Sequence, residues 1–217
     1  MFHGRPKPVR FLPRTVIGPL PSGPFPSHKP FGVIVMDSGA DYQGESSLTY
    51  LTSLVKRYTN RNGFGDVPVH YFIDKEGKIY MGRSDIAPAE IHQGDSFTLR
   101  MDEVEEKEAY LARLKKLNSP LLDLNNYIVI MLLGDYNQQM VTEEQEKQMF
   151  QLISNLVHAH NIPLSNILAL KDKYPETKNP GFYLNNYLQP TILEKNVPPP
   201  PGTHRFMIPP QLAEGRS

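Results

Sequence analysis

The chain contains no cysteine, which removes thiol nucleophiles, thiolate metal sites and disulfide frameworks from consideration. The same absence leaves the redox compartment open. Neither sign of charge is in excess, since 23 Lys and Arg stand against 23 Asp and Glu in 217 residues. A global basic field of the kind that draws a protein to nucleic acid or to an anionic membrane surface is therefore missing. No apolar run approaches the length needed to span a bilayer. The stretch Met1 to Arg14 is basic and proline-containing, without the apolar segment of a secretory signal.

What the chain does have is proline, 21 of them, unevenly placed. Met1–Pro30 carries eight (Pro6, Pro8, Pro13, Pro19, Pro21, Pro24, Pro26 and Pro30). Proline fixes φ and removes a backbone donor, so an extended arm is expected there rather than a helix or a central strand. Val197–Ser217 is similar, with Pro198 to Pro201 suited to polyproline II. These shifts divide the sequence into an arm at 1–30, a patterned body at 31–190 and a second arm at 191–217.

Within the body, Gly32–Met36 (GVIVM) and Tyr127–Leu133 (YIVIMLL) are short, largely β-branched apolar runs that read as buried strands. Glu45–Asn60 places Leu48, Leu51, Thr52, Val55 and Tyr58 at helical spacing. Val67–Phe72, Asp74-Lys75-Glu76-Gly77 and Lys78–Gly82 read as strand, turn and strand. Asp102–Leu117 is a charged helical stretch with Glu103 and Lys107 at i,i+4. Thr142, with Gln145 three residues on, is a capping signature for a helix to His160, whose apolar face is Met149, Leu152, Ile153, Leu156 and Val157. Strands alternating with helices, plus one hairpin, predict a single α/β domain with a mixed central sheet.

The order of these pieces resembles the amidase-2 family of N-acetylmuramoyl-L-alanine amidases, T7-type lysozyme and peptidoglycan recognition proteins. Five segments carry it: VIVMDSGA (Val33–Ala40), VHYFIDKEGKIYMG (Val69–Gly82), EIHQGDS (Glu90–Ser96), NNYIVIMLLGDYN with the helix that follows, and ALKDKYPETKNPGFYL (Ala169–Leu184). The resemblance implies one zinc ion held by two histidines and a cysteine or aspartate, beside a tyrosine or glutamate that moves a proton. Met36, Leu170 (or Lys171, with a one-residue shift) and Asn179 stand at the ligand positions, and Val69 and Met131 at the proton-transfer positions. Thioether, alkyl and carboxamide groups do not make a tight zinc site. The resemblance thus implies the fold without its catalytic device, and no cofactor is expected.

Asp37, Ser38, His70, His92 and Lys171 are retained polar residues along the presumed groove. A substitute metal site from His70, His92 and Asp37 is the alternative reading for part of that set, but satisfied groove residues are the simpler one. His158 and His160 sit near a helix end, where charge complementing the helix dipole is the plain reading. The aromatics of PGFYLNNY (Pro180–Tyr187) either pack the last helix on the sheet or offer a sugar-stacking platform. The expected function is a catalytically inactive module. It would act through other protein subunits along the proline-rich arms, through peptidoglycan fragments, or both, at a cell envelope or in a virion by family analogy. The rivals are an active amidase with relocated residues and a purely structural subunit.

Overall fold

The computed structural model describes residues 9–21, 25–39, 46–61, 66–89, 91, 109, 112, 115 and 122–198. Most of the charged stretch Asp102–Leu117, and the C-terminal arm beyond Pro198, lie outside that set. Ala109, Ala112 and Lys115 are helical.

The two β-branched runs form the centre of the molecule. Strand β2 (Gly32–Asp37) pairs in parallel with β5 (Tyr127–Leu132) over six rungs, and all twelve residues are buried. Side chains alternate across a strand, so burial on both faces requires a layer on each side. The hairpin β3 (Tyr71–Ile73) and β4 (Ile79–Met81) is antiparallel, turned by Gly77 at φ +76, and β3 lies parallel to β5. With β1 (Phe11–Leu12) and β6 (Ile167–Ala169) the sheet order is β1-β4-β3-β5-β2-β6. The first strand of the hairpin is shorter than the predicted Val67–Phe72. Val67 to His70 approach the sheet as irregular chain, and Pro68 has no N–H for a ladder bond.

One face is covered by α2 (Glu143–His160), α4 (Phe182–Tyr187) and α5 (Pro190–Asn196). The capping box is present: Thr142 Oγ1 accepts from the Gln145 N–H, and Gln145 Oε1 accepts from the Thr142 N–H. Gln145 is also buried, donating to the carbonyls of Ile73 and Leu133, so the cap doubles as a bolt between helix and sheet. All five residues of the predicted apolar face are buried, each contributing about 2 kcal/mol by leaving water. Leu193 and Val197 are buried too, which carries the domain past residue 190 into what the sequence marked as the C-terminal arm.

The other face is covered by α1 (Ser47–Lys56), followed by a wider turn to Arg61. Ser46 Oγ caps it at the Thr49 N–H. Its buried residues are Tyr50, Leu51, Leu54 and Val55, whereas Leu48 is exposed, so the buried stripe is rotated from the predicted one.

The N-terminal segment requires a correction. Residues 9–21 and 25–31 lie on the domain rather than extending from it as a separate arm. Phe11–Leu12 pairs in parallel with β4 at the sheet edge, and Arg14–Val16 makes one 3-10 turn. Ile17 is wholly buried among the α1 side chains, and Arg14 forms a buried ion pair with Asp66 at 3.0 Å. Deleting Met1–Phe25 is accordingly expected to destabilise the domain rather than leave it intact. Ile17→Ala should cost about 2–5 kcal/mol, and Arg14→Met, which leaves Asp66 buried and unpaired, about 3–5 kcal/mol. Urea unfolding of both variants checks this, and wild-type midpoints would contradict it.

Candidate functional site

The positions that the amidase resemblance assigns to zinc binding and proton transfer converge, but on apolar chemistry. Met36 near the end of β2 is the rung partner of Met131 on β5, and Phe72 on β3 is the next neighbour. Met36 (1 % exposed), Met131 (0 %), Val69 (0 %) and Leu170 (3 %) all belong to the apolar core under α1, with Ile91, Leu122 and Leu124. Three protein ligands with nitrogen, thiolate or carboxylate donors are what a catalytic zinc requires. Here a thioether and an alkyl chain fill the space. Among the described residues no three His, Asp or Glu side chains come together as a metal-binding group. The donor set does not fit zinc.

Asn179, at the third ligand position, is fully engaged elsewhere. Its Oδ1 accepts the Asp37 N–H at 2.9 Å, and its Nδ2 donates to the Asp37 carbonyl at 2.7 Å and to Asp37 Oδ1 at 3.0 Å. Asp37 Oδ2 accepts the Gly181 N–H at 2.6 Å, and Oδ1 accepts that of Gly39 at 3.0 Å. The Asn179 carbonyl in turn takes the Lys171 N–H. The end of β2 is thereby locked to the 170–181 loop, which starts with the single turn α3 (Leu170–Lys173) and carries a cis Asn179–Pro180 bond. Burial pushes the Asp37 carboxyl up to about 6, against the Gly181 and Gly39 N–H groups, with Asp135 raising it further and Lys171 opposing. Beside it, Ser38 Oγ accepts the Gly134 N–H and donates to the Gly134 carbonyl, tying β2 to the loop after β5.

Of the five retained polar residues, the structure brings Asp37, Ser38 and Lys171 to one end of the sheet. His70 is not with them. It sits level with Val129 and hence with Ile34, three rungs before Asp37, a separation of about 10 Å along the strand. Its ring is wholly buried, with Nδ1 accepting the Val129 N–H at 2.8 Å and Nε2 donating to the Ala87 carbonyl at 2.7 Å. Both nitrogens are used by backbone, which overturns a metal site shared by His70 and Asp37. His92 lies outside the described residues. Next to Gly181, Phe182 is 64 % exposed and Tyr183 37 %, their rings 5.5 Å apart, while Leu184 and Leu188 pack inward. Half of the aromatic segment therefore packs and half faces solvent. A surface cavity of about 500 Å³ lies elsewhere, between Leu12, Val16, Ser47, Leu48, Lys78 and Tyr80. Sequence spacing gave no sign of it, because β1 brings one wall from the N-terminal segment.

Two outcomes follow from this geometry. Asn179→Cys and Asn179→Ala each strip the Asp37 backbone of two partners, so either should lower stability by about 2–4 kcal/mol. Chemical denaturation measures it, and a neutral substitution would show the lock to be idle. The second outcome concerns pH. Burial, opposed by its two backbone hydrogen bonds, pushes His70 down to about 3 from an ordinary 6.5. A depressed base stabilises the fold above pH 6.5 and loses that contribution as pH falls toward 3. Asp37, raised from 3.8 to about 6, acts oppositely, its contribution being complete below 3.8 and lost as pH rises through 6. The stability difference between wild type and His70→Asn should therefore shrink steadily from pH 7 to pH 3.5. A pH-independent difference would mean His70 is not the buried neutral base described.

The model of the Amidase_2 family, described as N-acetylmuramoyl-L-alanine amidase, matches residues 27–181. No curated protein is similar enough in sequence to match. Among solved structures, the amidase LysC from Clostridium intestinale URNW superposes with a TM-score of 0.58 at 16 % identity, covering 88 % of this chain and 99 % of that one. Drosophila peptidoglycan recognition protein SD gives 0.59 at 17 % identity, with 83 % and 94 % covered. Peptidoglycan recognition protein-LE, solved with tracheal cytotoxin, a monomeric diaminopimelic acid-type peptidoglycan, gives 0.58 at 12 % identity, with 82 % and 92 % covered. At these identities the structures establish the fold, and the family match over residues 27–181 establishes the lineage: this chain belongs to the Amidase_2 family.

Proposed function

We propose that this protein is a catalytically silent amidase-fold module that works by docking to other protein subunits, at a cell envelope or in a virion. The observation that carries the loss of catalysis is the packing of Met36, Val69, Met131 and Leu170 into one apolar core. Hydrolysis in this fold needs an activated water and a group that stabilises the oxyanion. None of these side chains supplies either, and all four are buried in the apolar core. A groove plugged in this way supports a scaffolding role over a cutting one. The N-terminal segment contributes less to docking than its composition implied, because residues 9–21 and 25–31 are used by the domain itself.

A second reading has its own support. The exposed Phe182 and Tyr183 stand beside the end of the sheet that carries Asp37, Ser38 and Lys171. Exposed aromatic faces stack on sugar rings, and a lysine can meet a stem-peptide carboxylate. A relative of the same fold was solved with a peptidoglycan fragment. Binding of a peptidoglycan-type ligand without cleavage is the form this takes.

The test has two arms. Purified protein incubated with muropeptides, with and without added zinc, should release no stem peptide, and metal analysis should find no stoichiometric zinc. Turnover that survives chelation would instead favour relocated catalysis. Sedimentation with peptidoglycan sacculi, comparing wild type with a Phe182→Ala/Tyr183→Ala double variant, then separates the readings. Binding lost in the variant establishes the ligand reading. Absence of binding, with discrete cross-linked partners in the native host, establishes docking.

A further inference from the structure

His28 and His70 come from distant parts of the chain and lie ring over ring, with centroids 6.0 Å apart and planes within 12°. Their hydrogen bonds repeat one pattern. His28 Nδ1 accepts the N–H of Asn126 at 2.8 Å, and His70 Nδ1 accepts that of Val129 at 2.8 Å. On the other side, His28 Nε2 meets the carbonyl of Asp85 at 2.9 Å, and His70 Nε2 that of Ala87 at 2.7 Å. A backbone N–H can only donate, so each Nδ1 is an unprotonated acceptor, and each Nε2 carries the proton it gives to a carbonyl. The pair is thus two stacked neutral imidazoles that staple the 85–87 loop to the entry of β5.

The rings differ in accessibility. His70 is wholly buried, whereas His28 is half-buried at the rim. The His28 N–H also donates to the Ile86 carbonyl, and the Asn126 carbonyl, in a residue at φ 67, accepts from Phe31 and Gly32. Phe25 lies under the Arg83 guanidinium and Phe31 against Tyr127. His28 is therefore the central pin of the strap formed by residues 25–31. The strap and the adjoining loop sit at the edge of the core that contains Met36 and Met131, to which the loop contributes Ala89 and residue 91 contributes its isoleucine side chain.

We propose that the His28–His70 pair is an acid-sensitive latch: protonation of His28 at Nδ1 sets its N–H against that of Asn126, unseats the 25–31 strap and loosens the cover over the apolar core. Among the described residues, charged and titratable groups approach the ring from several elements. His70 faces it from the start of β3. Asp85 and Arg83 come from the loop after β4, and the Asp85 carboxylate is taken by His160 of α2 at 3.3 Å. Lys29 is its chain neighbour. Among the described residues no acceptor faces Nδ1, which meets the Asn126 N–H, and the Asp85 carbonyl already holds Nε2. His70 does not share this sensitivity, since burial keeps it neutral to far lower pH. The latch opens at one ring and stays shut at the other.

Amide hydrogen exchange on the full chain at pH 7.5 and pH 5.0, corrected for the intrinsic pH dependence, reads the latch at individual bonds. Exchange at the Asn126 and His28 amides should rise by about tenfold or more at pH 5.0, as local opening of the strap becomes easier. The Val129 amide, held by His70, should stay protected. His28→Asn keeps an acceptor near the Nδ1 position but does not titrate, so the pH effect at Asn126 should vanish. Ring 15N shifts provide the second measurement should that variant fold poorly. Both histidines should show the Nε2–H tautomer at pH 7.5, and His28 alone should gain a proton as Asn126 loses protection. An Asn126 amide that stays protected while His28 is charged overturns the latch. So does an equal pH effect in His28→Asn, or a His28 ring still neutral at pH 5.0.

Discussion

The exchange of hydrogen bonds between Asp37 and Asn179 holds the functional end of this fold together. Parallel strands end with their carbonyls and N–H groups aimed at whatever follows, and those groups must be paired once buried. Asn179 meets both backbone groups of Asp37, and the Asp37 carboxylate meets Gly181 and Gly39 in return. A metal at the position implied by the family would tie the same two pieces, strand end and late loop, by coordination. Here a carboxamide and a carboxylate make the tie. The result is a mutual network in which both N–H groups of the Asn179 amide and both oxygens of the Asp37 carboxylate are engaged within the protein.

That tie and the apolar filling depend on each other. Strand alternation sends Met36 toward the α1 side and leaves Asp37 to turn with the chain at the strand end. With Met36, Met131, Val69 and Leu170 together, the cost of burying a polar water-binding site is removed and dispersion contacts take its place. Asp37 is the exception, a carboxyl driven upward by burial. Its partners are fixed N–H donors, and substituting it would take the acceptor from the Gly181 and Gly39 N–H groups.

Much of this was legible in the sequence, for physical reasons that differ by element. GVIVM and YIVIMLL read as doubly buried strands because nothing in them could face water, and they became the six-rung centre of the sheet. Thr142 and Gln145 announced a helix start through chemistry that is local to four residues. That Met36, Val69, Met131 and Leu170 carry no metal-ligating group was readable because side-chain chemistry is a property of the residue itself. The N-terminal segment was not readable in the same way. Its prolines correctly exclude helix and central strand, but its place is set by Arg14 finding Asp66 and Ile17 finding α1. Those partners lie 52 and more than 30 residues away, and no local pattern encodes them. His70 was assigned to the groove for the same reason, since only the register of β3 against β5 shows that it points at backbone.

Several buried polar groups of this domain join segments distant in sequence. Arg14–Asp66 fastens the N-terminal segment, with no hydrogen-bond partner for Arg14 Nη1 or Asp66 Oδ2 among the described residues. His28 and His70 fasten two loops, and Asp37–Asn179 fastens strand to loop. Such groups add little net stability compared with apolar replacements of equal volume. Their effect is selective: an apolar side chain tolerates many neighbours, whereas a carboxamide facing both an N–H and a carbonyl tolerates one arrangement. In an enzyme of this fold that selectivity would orient a metal and a substrate. In this chain Met36, Val69, Met131 and Leu170 share one apolar core, and the buried polar residues determine where the strap, the loops and the strand ends are allowed to sit.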